Sequence, residues 1–241
     1  MLIDTHCHID RFPAPEALVN ECESANIKVI AVTNLPSHYE MALPHLANSE
    51  HVFPALGFHP LSATSNPTEL RTFRKYAGQT KYIGEIGLDF SKAGSPTHQQ
   101  QEEVFDYVLS ALRESPSFIT LHSRGAEKEV LEGLQHHDIS RACFHWYSGG
   151  IRVLEDIVSA GHFISINPAM LDTQKGKRIL EIVPLPHLLA ESDGPYAKRN
   201  RKPCAPLGVM DVYQAIAVKH QLGLGEVDYI LEENFKRASK N

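Results

Sequence analysis

The stretch Leu2-Ile3-Asp4-Thr5-His6-Cys7-His8-Ile9-Asp10 decides how this chain is read. Taken as an extended strand, it places residues two apart on one face. His6 and His8 then point the same way, with Asp4 and Asp10 on either side of them. Two imidazoles side by side make a metal-binding pair. A His-x-His pair gains weight only if further ligands arrive at matching places in one architecture, so the rest of the chain decides.

Working outward, apolar β-branched runs alternate with helical text. Runs at 27–32, 52–60, 81–89, 118–122, 141–145, 162–166 and 188–193 read as strands two to eight. Between them, helical spacing predicts helices over 16–25, up to 46, from a cap at Asn66 or Thr68 to 76, over 97–114, over 127–136, around 153–158 and over 175–182. Two helices close the chain, the last with Val227, Ile230, Leu231 and Phe235 on one stripe. The strands recur roughly every 21 to 36 residues, close to the length of a strand-helix unit. Continuous apolar runs fit buried parallel strands. Eight such units predict an α/β fold, a single (β/α)8 TIM barrel over residues 1–241 with its site at the C-terminal rim. A doubly wound open sheet would need a glycine-rich phosphate turn, which the sequence lacks.

Composition agrees with one folded unit. Hydrophobic residues make up 42% and charged residues 22% of the 241. The 23 basic and 29 acidic residues leave a net charge of -6, which excludes gripping a long duplex by bulk electrostatics. Cys7, Cys22, Cys143 and Cys204 have no zinc-finger spacing and are expected to be reduced. No signal peptide or membrane-length apolar run is visible, so a cytoplasmic location and no membrane partner are expected.

In barrels of this kind the reactive residues lie at strand C-termini. The first strand supplies His6 and His8, the fourth Glu85, the fifth His122, the sixth His145 and the eighth Asp193. Four imidazoles and two carboxylates on one rim predict two divalent metal ions. His6, His8, Glu85 and Asp193 would serve one, His122 and His145 the other, with Glu85 as bridge. Gly84 and Gly87 leave room beside it. Two ions about 3.5–4 Å apart suit in-line displacement at phosphorus, and they lower the pKa of water toward neutrality. Asp193 is placed to orient that water and take its proton. Glu85 and Asp193 are thus the catalytic candidates.

Six segments carry a resemblance: Asp4-Thr-His-Cys-His-Ile-Asp10, Gly57-Phe-His-Pro60, Gly84-Glu-Ile-Gly-Leu-Asp89, Leu121-His-Ser-Arg124, His145-Trp-Tyr-Ser-Gly149 and Glu191-Ser-Asp-Gly-Pro195. With the tail Asn234-Phe-Lys-Arg237, they resemble the TatD family of metal-dependent deoxyribonucleases. The resemblance implies a divalent-metal centre on the six residues above and hydrolysis of DNA phosphodiesters, commonly from a 3′ end of a single strand. The chain departs from the family around Trp146 and Tyr147, which are bulkier than the usual Cys-Phe-Ser-Gly, and its loops are trimmed. Its compactness resembles QatD-like members of anti-phage gene cassettes, which implies partner proteins of a defence system.

On the substrate side, the resemblance makes His59 a phosphate contact; the alternative is a histidine fixing the turn before Pro60. Arg124 would either fork onto a phosphate or pair with Glu127. The runs Lys175-Gly-Lys-Arg178 and Lys198-Arg-Asn-Arg-Lys202 follow the seventh and eighth strands, where barrels often bind phosphate, but a solvated loop reads the same way. Trp146 and Tyr147 are candidates for base stacking, Tyr147 equally for the core. Asp89 and Asp10 are read as orienting histidines, and Cys7 as core. The metal is Mg, Mn or Zn: imidazoles favour the transition ions, whereas the family is described as magnesium-dependent. Two other functions stay open. One is a small-molecule amidohydrolase or esterase using the same centre, although Glu85 stands where such enzymes often carry a carbamylated lysine. The other is a non-catalytic barrel serving as a complex subunit, against which the full ligand set argues.

Overall fold

The computed structural model describes residues 1–63, 66–112 and 117–240. Eight parallel strands stand in sequence order: β1 (Ile3–Cys7), β2 (Lys28–Val32), β3 (Val52–Phe58), β4 (Tyr82–Gly87), β5 (Phe118–His122), β6 (Cys143–Phe144), β7 (Phe163–Ile166) and β8 (Leu188–Ala190). The helices between them are α1 (Pro15–Ala25), α2 (Pro36–Leu46), α3 (Pro67–Ala77), α4 (His98–Ser110), α5 (Glu127–His136), α6 (Ile151–Ser159) and α7 (Gln174–Ile182). A short hairpin of β9 (Lys198–Arg199) and β10 (Lys202–Pro203) follows, then α8 (Met210–His220) and α9 (Leu224–Ala238). This is the (β/α)8 barrel expected from the strand-helix alternation. The last two residues expected in the fourth helix, at 113 and 114, lie outside the described residues.

Most helices start where local chemistry requires. Proline occupies the first turn of α1, α2 and α3, where its missing N–H costs nothing. Asn66 caps α3, its side chain accepting from Thr68 N at 3.0 Å.

Where β1 meets β8, the contacts run through residues of the rim. Asp193 N donates to His6 O at 2.9 Å, His8 N to Gly194 O at 2.8 Å, and the Thr5 hydroxyl to Ala190 O at 3.0 Å. The Asp4 carboxylate lies across the same seam, accepting from Ser192 N at 2.8 Å and His6 N at 3.2 Å.

Period two along the later strands sorts the barrel interior into layers. On β5, Phe118 lies low, Thr120 in the middle and His122 at the rim; on β8 and the turn beyond it, the series is Leu189, Glu191, Asp193. The low layer, with Phe118, Cys143, Phe163 and Leu189, joins Phe235 and Ala238 of α9 in one buried apolar cluster. Phe118 and Phe235 have ring centroids 4.9 Å apart. The terminal helix thus plugs one end of the barrel with apolar surface and leaves polar chemistry to the other.

On the outside, Glu23 of α1 ties down the entry to β3. Its carboxylate accepts from the Ser49 hydroxyl, from His51 N at 3.0 Å and from His51 Nδ1 at 2.8 Å. Partial burial pushes Glu23 up, but these donors outweigh it and hold the group at about 2. A carboxylate with a depressed pKa stabilises the fold above its ordinary value, and that contribution disappears as pH falls toward 2. Solvent screening limits its worth to about 1 kcal/mol. Glu23→Gln should therefore lower Tm by about 3 °C at neutral pH, with the gap from wild type closing near pH 2, as read by thermal melts across pH.

Candidate metal centre

The six predicted ligands converge. Glu85 stands at their middle, 2% exposed, and its two oxygens face different partners. Oε2 lies 3.2 Å from His8 Nε2, 3.6 Å from His6 Nε2 and 3.6 Å from His59 Nε2. Oε1 lies 2.6 Å from His122 Nδ1 and 2.8 Å from His145 Nε2. Asp193 Oδ1 is 3.8 Å from the Nε2 atoms of both His6 and His8. Two nitrogens each about 2.1 Å from one tetrahedral ion stand about 3.4 Å apart. His6 Nε2 and His8 Nε2 are 3.4 Å apart, and each ring stands 5.2 Å from the other, edge to face. The donor set and its spacing fit a divalent cation, and the Glu85 carboxylate divides between two groups of imidazoles as a bridging ligand would.

Backbone geometry makes this density accessible. A Cβ at Gly87 would sit 1.9 Å from His122 O, so only glycine lets β4 approach β5 here. Asp193 has φ of 43°, the left-handed region that a non-glycine residue seldom adopts. Such strain is stored where the surroundings over-determine it; here the bonds from Asp193 N to His6 O and from Ala197 N to Asp193 O, 2.9 and 2.8 Å, do so.

A supporting layer sets the rings. His6 Nδ1 meets the Thr120 hydroxyl at 2.8 Å, which leaves Nε2 facing the centre. His122 Nε2 meets Asp89 Oδ2 at 2.9 Å, leaving Nδ1 for Glu85. Behind His145 stands Glu191, wholly buried, 3.7 Å from Nδ1. Glu191 accepts from Trp146 N at 3.0 Å, from the Ser165 hydroxyl at 2.5 Å and from Asn167 Nδ2 at 3.2 Å. Partners of this kind fix tautomer and orientation. Thr120→Val should keep the volume but release the His6 ring, weakening metal affinity about 10–100-fold in a competition titration against a chromophoric chelator.

Charge is strongly polarised in this small volume. Burial pushes Glu85 up, yet His59, His145 and His122 outweigh it and hold the carboxyl well below the usual range. Burial drives His6 down to about 3, with repulsion from His145 adding to it. Burial also opposes charge on His145, but Glu85 and Glu191 overcome it and raise the ring well above the ordinary value. Asp193 is pushed well above the carboxylate range, first by burial and then by Glu191 and Glu85, against the attraction of His145.

His59 is placed between its two readings. Its Nδ1 accepts from Leu61 N at 3.1 Å, which fixes the turn at Pro60. In a neutral ring the proton then sits on Nε2, which faces the cavity. Burial lowers this ring to about 4, with Glu85 opposing, so it stays neutral. An N–H aimed into the site suits an anionic oxygen better than a cation. Arg124 is exposed at the same mouth, and among the described residues its guanidinium has no ion-pair partner, Glu127 included. The cavity over the centre is about 580 Å³, with Asn34, Ser123, Trp146 and Tyr196 also on its walls.

One reading needs correction, and one left open at Tyr147 is decided. Asp10 does not orient a histidine: β1 ends at Cys7, His8 leaves the extended region at φ -88°, ψ 73°, and Asp10 turns outward to Arg11 Nε at 3.2 Å. Tyr147 is core, 2% exposed, its hydroxyl donating to Gly150 O at 2.7 Å. Trp146, by contrast, stays 38% exposed at the mouth. Cys7 is buried, as alternation along the strand requires. Thr120 carries no sequence signal, Glu191 lies within a quoted motif without a role, and Asp4 reads only as flanking His6 and His8; the partners of Thr120 and Asp4 are visible only in three dimensions.

The fold and the pocket define a metal-dependent hydrolase barrel. The family model described as TatD related DNase matches residues 3–240, and the chain belongs to the TatD family of metal-dependent hydrolases. An uncharacterized metal-dependent hydrolase of Methanocaldococcus jannaschii is 26% identical, covering 98% of this chain and 97% of its own length. Deoxyribonuclease TATDN3 of Homo sapiens is 26% identical over 80% of this chain and 78% of its own. The crystal structure of YJJV, a TatD homolog from Escherichia coli, superposes with a TM-score of 0.87 at 25% identity, covering 100% of this chain and 98% of the other. Among the described residues, no helix is long and apolar enough to cross a membrane.

Proposed function

We propose that this hydrolase cleaves DNA phosphodiester bonds with two divalent ions held by His6, His8, Glu85, His122, His145 and Asp193, removing nucleotides from the 3′ end of single strands. The observation that carries this reading is the division of Glu85, one oxygen toward His6 and His8 and the other toward His122 and His145. Bound divalent ions supply Lewis acidity and lower the pKa of water toward neutrality. The chain's own groups do the rest. His59 Nε2–H donates to a non-bridging phosphate oxygen, and Arg124 pairs with the phosphate charge. Asp193, held ionised by bound cations beside it against the burial and carboxylate repulsion that raise it, accepts the proton of the attacking water as the new P–O bond forms and the bond to the leaving sugar oxygen breaks. Two cationic or N–H donors at the mouth favour an anionic substrate over a neutral amide or ester.

The imidazole content favours zinc or manganese over magnesium. A role in anti-phage defence, with partner proteins, rests on the resemblance to compact family members, and a cytoplasmic location on the sequence's lack of a recognisable signal peptide. The test is incubation of end-labelled single-stranded oligonucleotides with the protein and Mg, Mn or Zn. The expected result is stepwise release of mononucleotides, lost on chelation and restored by one of the ions. Turnover of neutral esters with no attack on DNA would contradict it.

A further inference from the structure

The cations after strands β7 and β8 fall into two groups. Lys175 Nζ is bound to Ser148 O, and Arg178 pairs with Glu181 at 3.1 Å. Arg199 spans Asp172 with a two-pronged fork, Nε to Oδ2 and Nη2 to Oδ1 at 3.0 Å each, and reaches Asp211 Oδ2 through Nη1 at 2.6 Å. These three are already engaged, Arg199 most firmly and Arg178 only in a solvent-exposed i,i+3 pair. Lys177 on α7 and Lys198, Arg201 and Lys202 on the hairpin are exposed, and among the described residues none has a hydrogen-bond or ion-pair partner for its charge.

Three of the four, Lys198, Arg201 and Lys202, sit on one hairpin. β9 and β10 pair antiparallel, Lys198 opposite Pro203 and Arg199 opposite Lys202. The two residues between them, Asn200 and Arg201, have φ of 50° and 63°, the double left-handed turn that matches strand twist in a tight hairpin. The Arg199 fork pins one strand, and Cys204 N, donating to Ala197 O at 2.8 Å, closes the base. That base abuts the metal centre: Ala197 N donates to Asp193 O at 2.8 Å, and Lys198 is the next residue. Tyr196, on the cavity wall, is 50% exposed, with its ring 4.9 Å from that of His8.

We infer that the β9–β10 hairpin is a finger that grips the phosphate backbone of a single-stranded nucleic acid, beyond the nucleotide held over the metal centre. The inference rests on the hydrolase reading for its choice of partner. A chain of net charge -6 repels a polyanion at long range, so backbone contacts must come from local unpaired cations near the mouth. Three cations are too few to hold a lipid surface, for which about 4–8 are usual. They suit a strand already anchored at one end.

The test is fluorescence anisotropy with a labelled oligothymidylate carrying phosphorothioate linkages at its 3′ end, titrated with wild type and with K198A/R201A/K202A between about 50 and 200 mM salt. The triple variant should bind at least about tenfold more weakly at the low-salt end, and its log–log salt slope should flatten by about 2. A single thymidylate, which has no backbone beyond the position over the metal centre, should bind both proteins alike. Unchanged affinity and slope in a variant that melts like wild type would overturn the finger, as would retention on anionic vesicles in preference to DNA. Failure of the hydrolase reading looks different: wild type would bind the strand with the predicted slope yet cleave no diester with any ion.

Discussion

Replacing Glu85 by Gln is expected to lower kcat/KM on single-stranded DNA by on the order of 10^3-fold or more and to reduce bound metal from two ions per chain toward one or none. Glutamine keeps the volume but has one acceptor oxygen, so it can face His6 and His8 or His122 and His145, not both sets. The charge that holds five imidazoles together is lost as well. Because the carboxylate is buried, its removal leaves cationic rings uncompensated, and a fall in stability of about 3 kcal/mol should accompany the loss of activity. Kinetics on an end-labelled oligonucleotide, elemental metal analysis and a thermal melt read the three effects together. A variant within about tenfold of wild type would show that Glu85 bridges nothing.

The second large effect concerns Asp193. Asp193→Asn should lower kcat by about 10²–10⁴-fold while leaving KM and metal content near wild type. The amide oxygen can still face His6 and His8, where the carboxylate oxygen now stands 3.8 Å from each Nε2. It cannot take a proton from water at neutral pH. The strained backbone at φ of 43° suits asparagine at least as well as aspartate, so the fold should tolerate the change. A drop confined to kcat identifies proton transfer; a parallel loss of metal would instead make Asp193 chiefly a ligand.

Much of this was legible in the sequence for a physical reason. Buried parallel strands write themselves as apolar runs, and a barrel turns each run's end into a rim position. His122 ends β5, and His145 follows β6 by one residue, so run ends brought these candidate ligands to one rim. The misplacement of Asp10 comes from carrying the strand period past the strand. Asp10 was assigned to the rim because alternation was extended through His8, where the backbone had already turned. The supporting layer was harder to see for a different reason. Thr120 is an ordinary strand threonine until β1 brings His6 Nδ1 to 2.8 Å from it. Asp4 reads as one more rim carboxylate until β8 delivers the Ser192 N–H to it at 2.8 Å. The basic loops show the same limit: composition could not separate Arg199, locked by Asp172 and Asp211, from its free neighbours.

The most direct test is anomalous diffraction from crystals grown with manganese. Two peaks about 3.5–4 Å apart are predicted, one beside His6 and His8 and one beside His122 and His145, with Glu85 between them. A single peak, or peaks away from Glu85, would contradict the two-ion centre.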